Sequence, residues 1–190
     1  MEHATGEALE SGLASVLGSP CDRGTVALIV RRPGVDEREV VAEAELDPER
    51  GLVGDRWHER RRAAGADREP ERGRQVTVMN ARLAALVAVD LDRRALAGDQ
   101  LYVDLDLSVG NLPAGARLAI GSAVIEVSEE PHLGCAKFAR RFGRAALVFV
   151  NSPTGRALRL RGLNARIVIG GKVRVGDPVR KLAAGDQEAG

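Results

Sequence analysis

Cys135 is the residue of widest chemical reach in this chain, and its neighbours are the kinds a reactive thiol uses. It lies in Glu130-Pro131-His132-Leu133-Gly134-Cys135-Ala136-Lys137-Phe138-Ala139-Arg140-Arg141-Phe142-Gly143. The pattern predicts a strand ending near Ser128, a Pro/Gly turn, and a helix beginning at Cys135. A thiol in a first helical turn meets the positive end of the helix dipole and free backbone N–H groups. Lys137, Arg140 and His132 add positive charge. Together these lower a thiol pKa and populate thiolate, the form that is both nucleophile and metal ligand. The same spacing has a plainer reading. Cys135, Phe138 and Phe142 fall at i, i+3 and i+7, one helical face, and a buried cysteine is usually inert. On spacing alone the core reading stands slightly ahead. His132-x-x-Cys135 is also half of a zinc site, but His3, His58 and Cys21 supply no second pair, so structural zinc is not expected.

A second candidate is Gly51-Leu52-Val53-Gly54-Asp55-Arg56-Trp57-His58. It gathers acid, forked donor, indole and imidazole, and it holds the one tryptophan of the chain. The alternative is a turn capped by Asp55, with Trp57 plugging a barrel end. Two further segments read as mainly architectural. They are Gly98-Asp99-Gln100-Leu101 with Asn111-Leu112, and Leu160-Arg161-Gly162-Leu163-Asn164-Ala165-Arg166. Arg156, Arg159 and Arg161 are able to bind an anion, but a solvated arginine face is the default.

These residues must be positioned by a fold. The 190 residues suit one domain with short appendages, and 44% hydrophobic with 29% charged residues is an ordinary globular mixture. A net charge of +1 gives no pull toward nucleic acid, and no nucleic-acid motif is present. Basic charge is nearly all arginine, with Lys137, Lys172 and Lys181 the lysines, as a genome-wide codon bias would produce. Two cysteines make no disulfide framework. No apolar run approaches the roughly 18 residues of a membrane helix, and the acidic N-terminus does not read as a signal peptide. A cytoplasmic protein with reduced thiols is expected.

Along the chain, residues 1–22 form an N-terminal extension, with Leu9, Leu13, Val16 and Leu17 at helical spacing. Thr25–Val30 and Val40–Leu46 read as strands. Residues 47–74 are long, polar and glycine-bearing, as functional or disordered loops are, and the stretch from 54 to 74 is read as a mobile flap. Gln75–Met79 is strand, and Asn80 caps a helix carrying Leu83, Leu86 and Val87. Gln100–Leu107 alternates as a half-buried strand. Arg117–Ile120 and Ala123–Val127 around Gly121-Ser122 form a hairpin with a primed turn. Arg166–Ile169 and Lys172–Val175 around Gly170-Gly171 form another. Residues 183–190 read as a disordered tail. The expectation is a mainly β (α+β) domain over 23–182, a single β-barrel with a few short helices.

In order, these pieces resemble the MOSC family, named for the C-terminal domain of molybdenum-cofactor sulfurases. The resemblance rests on Gly51-Leu52-Val53-Gly54-Asp55-Arg56, Gln75-Val76-Thr77-Val78-Met79-Asn80, Ala97-Gly98-Asp99-Gln100-Leu101 and Asn111-Leu112-Pro113-Ala114-Gly115-Ala116-Arg117-Leu118. It continues through the Cys135 segment and Gly171-Lys172-Val173-Arg174-Val175-Gly176-Asp177, and it looks closest to short stand-alone bacterial members. The resemblance implies a barrel and a family cysteine matched by Cys135. That thiolate would either carry sulfur as a persulfide or ligate molybdenum of the molybdopterin cofactor. Asp55, Arg56, His58, His132, Lys137 and Arg140 would then be cofactor-binding. A molybdenum-dependent reductase of N-hydroxylated compounds is the enzymatic alternative, and a non-catalytic small-molecule or partner-binding barrel is the other. No stretch is long enough for a desulfurase domain, so pyridoxal phosphate would sit on a partner cysteine desulfurase. A molybdoenzyme is the other expected partner; neither nucleic acid nor membrane is.

Overall fold

The computed structural model describes residues 3–59 and 72–183. The flap expectation falls largely on 60–71 and the tail expectation almost wholly on 184–190, outside the described residues.

Strand formation follows the β-branched runs. Arg23–Arg31 forms β1, Glu39–Val41 β2, Glu43–Asp47 β3 and Gly51–Leu52 β4. The expected strand over 40–46 is thus two strands, broken at Ala42, and they pair with different partners. Val76–Asn80 is β5, Leu101–Asp104 β6, Arg117–Ile120 β7 and Ala123–Val127 β8. Leu163–Ile169, Gly171–Arg174 and Pro178–Lys181 complete the set as β9, β10 and β11. Going round, β1, β6, β5, β9, β8, β7 and β11 are successive neighbours, and β11 pairs back onto β1, so these seven strands close a barrel. β5 and β6 run parallel, while the other pairs around it are antiparallel.

The β7–β8 hairpin forms as expected, with Gly121 at φ 56° in the turn. The second expected hairpin does not. β10 leaves the barrel and pairs with β3 in a separate sheet of β10, β3 and β4. Two glycines between two apolar strands admit a hairpin, but they also admit the change of direction that sends β10 to another sheet.

A parallel pair needs a crossover, and here it is helical. Ala81–Ala88 forms α2, capped by Asn80, whose Oδ1 accepts from the N–H of Arg82 and Leu83 at 2.9 and 3.0 Å. A 3₁₀ segment, Leu91–Ala97, then returns the chain to β6. Alternation on β5 sends Val76 and Val78 into the barrel and Met79 outward. The outward residues Met79, Val30 and Tyr102 found a second core with α2, the N-terminal helix α1 (Gly6–Leu17) and α3 (Ala136–Asn151). The short helix α4 (Pro153–Ala157) follows α3. Among the described residues no helix is long and apolar enough to cross a membrane.

Two buried glutamines tie the barrel together at this end. Gln100 Oε1 accepts from the Thr77 N–H at 2.8 Å and hydroxyl at 2.7 Å, and Gln75 Oε1 accepts from the Ile167 N–H at 2.8 Å. Such groups are retained in a core because each is hydrogen-bonded.

Candidate functional site

Cys135 is the N-cap of α3, with extended backbone (φ −123°, ψ 178°), and its side chain is exposed. The face expected to bury Cys135 with Phe138 and Phe142 therefore starts one turn later. Both phenylalanines are buried, 5.0 Å apart between ring centroids. A cap residue has left the helical path, so the periodicity that places it on the apolar face no longer applies. Partial burial pushes the Cys135 thiol up. The backbone N–H groups of Phe138 and Lys137 and the charges of Arg161 and Arg141 outweigh it, leaving the pKa below the ordinary thiol value. The approach to the helix is fixed by Asn151 in the last turn of α3. Its Oδ1 accepts from the Gly134 N–H at 2.9 Å, and its Nδ2 donates to the Gly134 carbonyl at 3.0 Å.

Cys135 opens onto a cleft of about 530 Å³ lined by Arg32, Arg38, Arg56, Lys137, Arg141 and Arg161, with His132, Asp36 and the Ala97-Gly98 backbone. Three carboxylates organise this charge. Asp55 is withdrawn from solvent and grips Arg32 with both oxygens, at 2.7 and 2.9 Å. Arg32 Nη1 reaches on to the Gly98 carbonyl at 3.0 Å. Asp99, also withdrawn, accepts from Arg161 Nη1 at 2.6 Å and contacts His132 Nε2 at 2.8 Å. Asp36, at the exposed edge, pairs with Lys137 at 3.1 Å and Arg141 at 2.7 Å. Arg38 makes no ion pair with a carboxylate among the described residues. One Nη1 donates to the Glu37 carbonyl, and its Nε is buried without a partner. Burial, then Arg141 and Arg32, hold its pKa below the usual guanidinium value. Gly98, at φ 91°, serves this crowding, since a Cβ there would meet Arg38 Nη2 at 3.2 Å.

His132 is neutral at neutral pH. Burial lowers its pKa, Arg161 lowers it further, and the opposing pull of Asp99 does not compensate. Burial raises the Asp99 carboxyl, but Arg161 and His132 win and bring it down to about 2. An ionised carboxylate only accepts, so Nε2 carries the proton toward Asp99 and Nδ1 is left as an acceptor. Arg161 also stacks over the Phe138 ring at 5.0 Å.

Of the residues expected from sequence, Cys135, Arg56, His132 and Lys137 line the cleft. Asp55 stands behind it, holding Arg32. His58 does not line it, and its Nδ1 is buried without a partner among the described residues. Arg140 is exposed on α3 and does not line it; Arg141, one position on, faces the cleft with Lys137 four residues before. Arg32, Arg38, Arg141, Arg161 and Asp99 were not foreseen in this role. Trp57 is buried against Gly51 in β4 of the smaller sheet.

Fold and site together define a class: a small closed barrel with an outer helical layer, presenting a thiol at the mouth of an arginine-lined cleft. The MOSC domain family matches residues 72–180, more than half of the chain, and the protein belongs to that family. Comparison with curated proteins gave no match. Among solved structures, one described as a hypothetical protein aligns at TM-score 0.57 and 22% identity, covering 85% of this chain and 68% of that one. The YUAD protein from Bacillus subtilis aligns at TM-score 0.53 and 16% identity, over 83% of this chain and 94% of that one. YiiM from Escherichia coli aligns at TM-score 0.52 and 22% identity, over 84% of this chain and 70% of that one. At these identities the likeness is one of fold.

Proposed function

We propose that the cleft binds the phosphate-bearing molybdenum–pterin cofactor, with Cys135 as the protein ligand to the metal. The observation that carries this reading is a thiol of lowered pKa sharing a 530 Å³ cleft with six cationic side chains, one of them, Arg38, making no ion pair with a carboxylate among the described residues. The residues fit the group. Among the described residues no group of three or more His, Cys, Asp or Glu is placed to hold a metal ion. A metal at Cys135 must therefore bring its other ligands with it, as a pterin dithiolene does. Arg38 and Arg56 would receive the phosphate, for which forked guanidinium donors are suited. When bound, the group supplies two-electron chemistry of the kind that reduces N-hydroxylated compounds. The chain's own residues supply the rest. Cys135 presents thiolate, Asp99 and Arg161 fix the imidazole of His132, and His132 Nδ1 takes up or returns a proton inside the cleft.

A second reading, sulfur carriage, is favoured by the exposure of Cys135 to a partner protein. The Cys135 thiolate attacks the outer sulfur of a persulfide on a pyridoxal-phosphate-dependent cysteine desulfurase. The sulfur–sulfur bond breaks, the desulfurase cysteine leaves as thiolate, and Cys135 holds the new persulfide. One experiment separates the readings. Protein from a cofactor-producing host is assayed for bound molybdenum, and its Cys135 peptide is weighed after incubation with desulfurase and cysteine. Molybdenum retained by the native chain and lost in Cys135→Ser supports the first. A gain of one sulfur without molybdenum supports the second. If neither result is obtained, both readings are overturned and a binding barrel without chemistry is left.

A further inference from the structure

The Cys135 cleft is one of two large cavities that share His132 and Arg161 as a common wall. The other measures about 420 Å³ and does not include Cys135. We infer that this second cavity is a binding site for a small molecule with an apolar body and a single anionic group. Its volume falls within the range of small-molecule sites. Val109, Pro113, Ala114, Leu133, Val150 and Leu163 give it apolar walls. Val109 and Leu133 are large apolar side chains left 47% and 42% exposed at this cavity, and a bound apolar body would cover them.

The anionic end is read from Arg159, whose backbone is the unusual feature of the cavity. α4 ends with the Arg159 N–H donating to the Arg156 carbonyl at 3.1 Å and the Leu160 N–H to the Gly155 carbonyl at 2.8 Å. That pair of bonds is the Schellman closure, and it puts Arg159 in the left-handed region at φ 46°. Glycine usually occupies this position, because a side chain there strains the backbone. Arginine keeps the strain and in return delivers a guanidinium to the cavity. Arg159 pairs with no carboxylate among the described residues; its Nη1 donates to the Leu112 carbonyl, and burial lowers its pKa. Strain retained at a cavity wall is the pattern of a binding position. Arg156 adds a second guanidinium, whose Nε donates to the Asn151 carbonyl. Of the acids lining the cavity, Glu130 is taken by Arg74 at 2.7 Å, and Glu129 is exposed. Glu129 would repel a multiply charged anion, which limits the ligand to one negative group.

Benzoate is the probe, with benzamide as its neutral analogue and inorganic phosphate as an anion without an apolar body, each titrated into the full chain by amide NMR. Benzoate is expected to shift residues 109–114, 128–133 and 155–163, and to bind roughly tenfold or more tightly than either analogue. Arg159→Gly should lose that preference while its melting temperature is held or raised, since glycine suits the position. Ala114→Trp, a change at an exposed wall residue, should block benzoate without touching the core. Arg144→Gln, on exposed α3 surface, should change nothing. The inference is overturned if benzoate gives no shifts up to millimolar concentration, if they centre on Cys135 instead, or if benzamide or phosphate binds equally. Unaltered binding by Arg159→Gly, or the same loss in Arg144→Gln, overturns it too. Should Arg159→Gly fail to fold, Ala114→Trp decides. None of these readings uses Cys135 or a cofactor, so they stand apart from the fate of the proposed function.

Discussion

Arg161 Nη1 stands 2.6 Å from Asp99 Oδ2 in an ion pair almost wholly removed from water, with His132 on the second carboxylate oxygen. Breaking such a pair from one side strands a buried charge at a cost of about 3–5 kcal/mol. Asp99→Asn should therefore lower the melting temperature by roughly ten degrees, given about 2–4 °C per kcal/mol for a domain this size. A melt within two or three degrees of the native protein would contradict this account of the pair.

Acid should act on the same cluster in two stages. Asp99 has a folded pKa of about 2, below its unfolded value near 3.9. Its contribution is thus complete above the unfolded value and lost as pH falls toward 2. His132 is also lowered on folding, so the unfolded chain binds its proton more readily. Stability from His132 is complete above about 6.5 and declines as pH drops through that value. Urea midpoints measured from pH 8 to pH 2 should fall in both windows, and Asp99→Asn should make the fall in the lower one smaller, the rest coming from other lowered carboxyls such as Glu126.

Alkylation of Cys135 against pH should show a midpoint below the roughly 8.5 of a free thiol. Arg141→Gln removes one of the charges that lower it and should move the midpoint up. Mass-spectrometric assignment keeps the Cys135 signal apart from Cys21. A midpoint at or above the free-thiol value would remove the thiolate on which both proposed roles depend.

Cys135→Ser should leave stability within about 0.5 kcal/mol, because the thiol is exposed and packs into neither core. Thermal melts check this directly. A loss of several degrees would mean that Cys135 serves the packing after all.

Asn151→Ala should be more damaging than Cys135→Ser, since it opens both hydrogen bonds to Gly134. At about 1 kcal/mol for each bond, the loss is about 2 kcal/mol. Because Asn151 acts through the backbone before Cys135, the alkylation midpoint should shift as well. A destabilised variant with an unmoved midpoint would make Asn151 structural and nothing more.

The barrel was legible because its strands are periodic and its turns carry glycine. The Asn80 cap, the β7–β8 hairpin and the alternation that divides Val78 from Met79 are all local signals. The partner of β10 was not legible, because pairing is decided by strands far away in the chain. The cleft was legible in the same measure. Cys135, His132 and Lys137 are neighbours in sequence, and charge near a thiol is a local sign. Arg32 meets Asp55 and Asp99 meets Arg161 across 23 and 62 positions, and no spacing rule reaches that far. Arg161 looked like part of a solvated face, yet its charge is neutralised beneath the surface by an aspartate that had passed for a strand entry.

The pairing of β1 with β11 has a consequence for how the chain acquires its structure. These strands lie near opposite ends of the sequence, so the ring closes only after Pro178–Lys181 has been made. Until then β1 and β7, the two strands that β11 will join, present open strand edges, which recruit strands from other molecules when left uncovered. A fragment cut to residues 72–180 would keep most of the barrel but lack β1, the strand that joins its two margins. Such a fragment should aggregate, and adding residues 23–31 in trans would be the means of keeping it in solution.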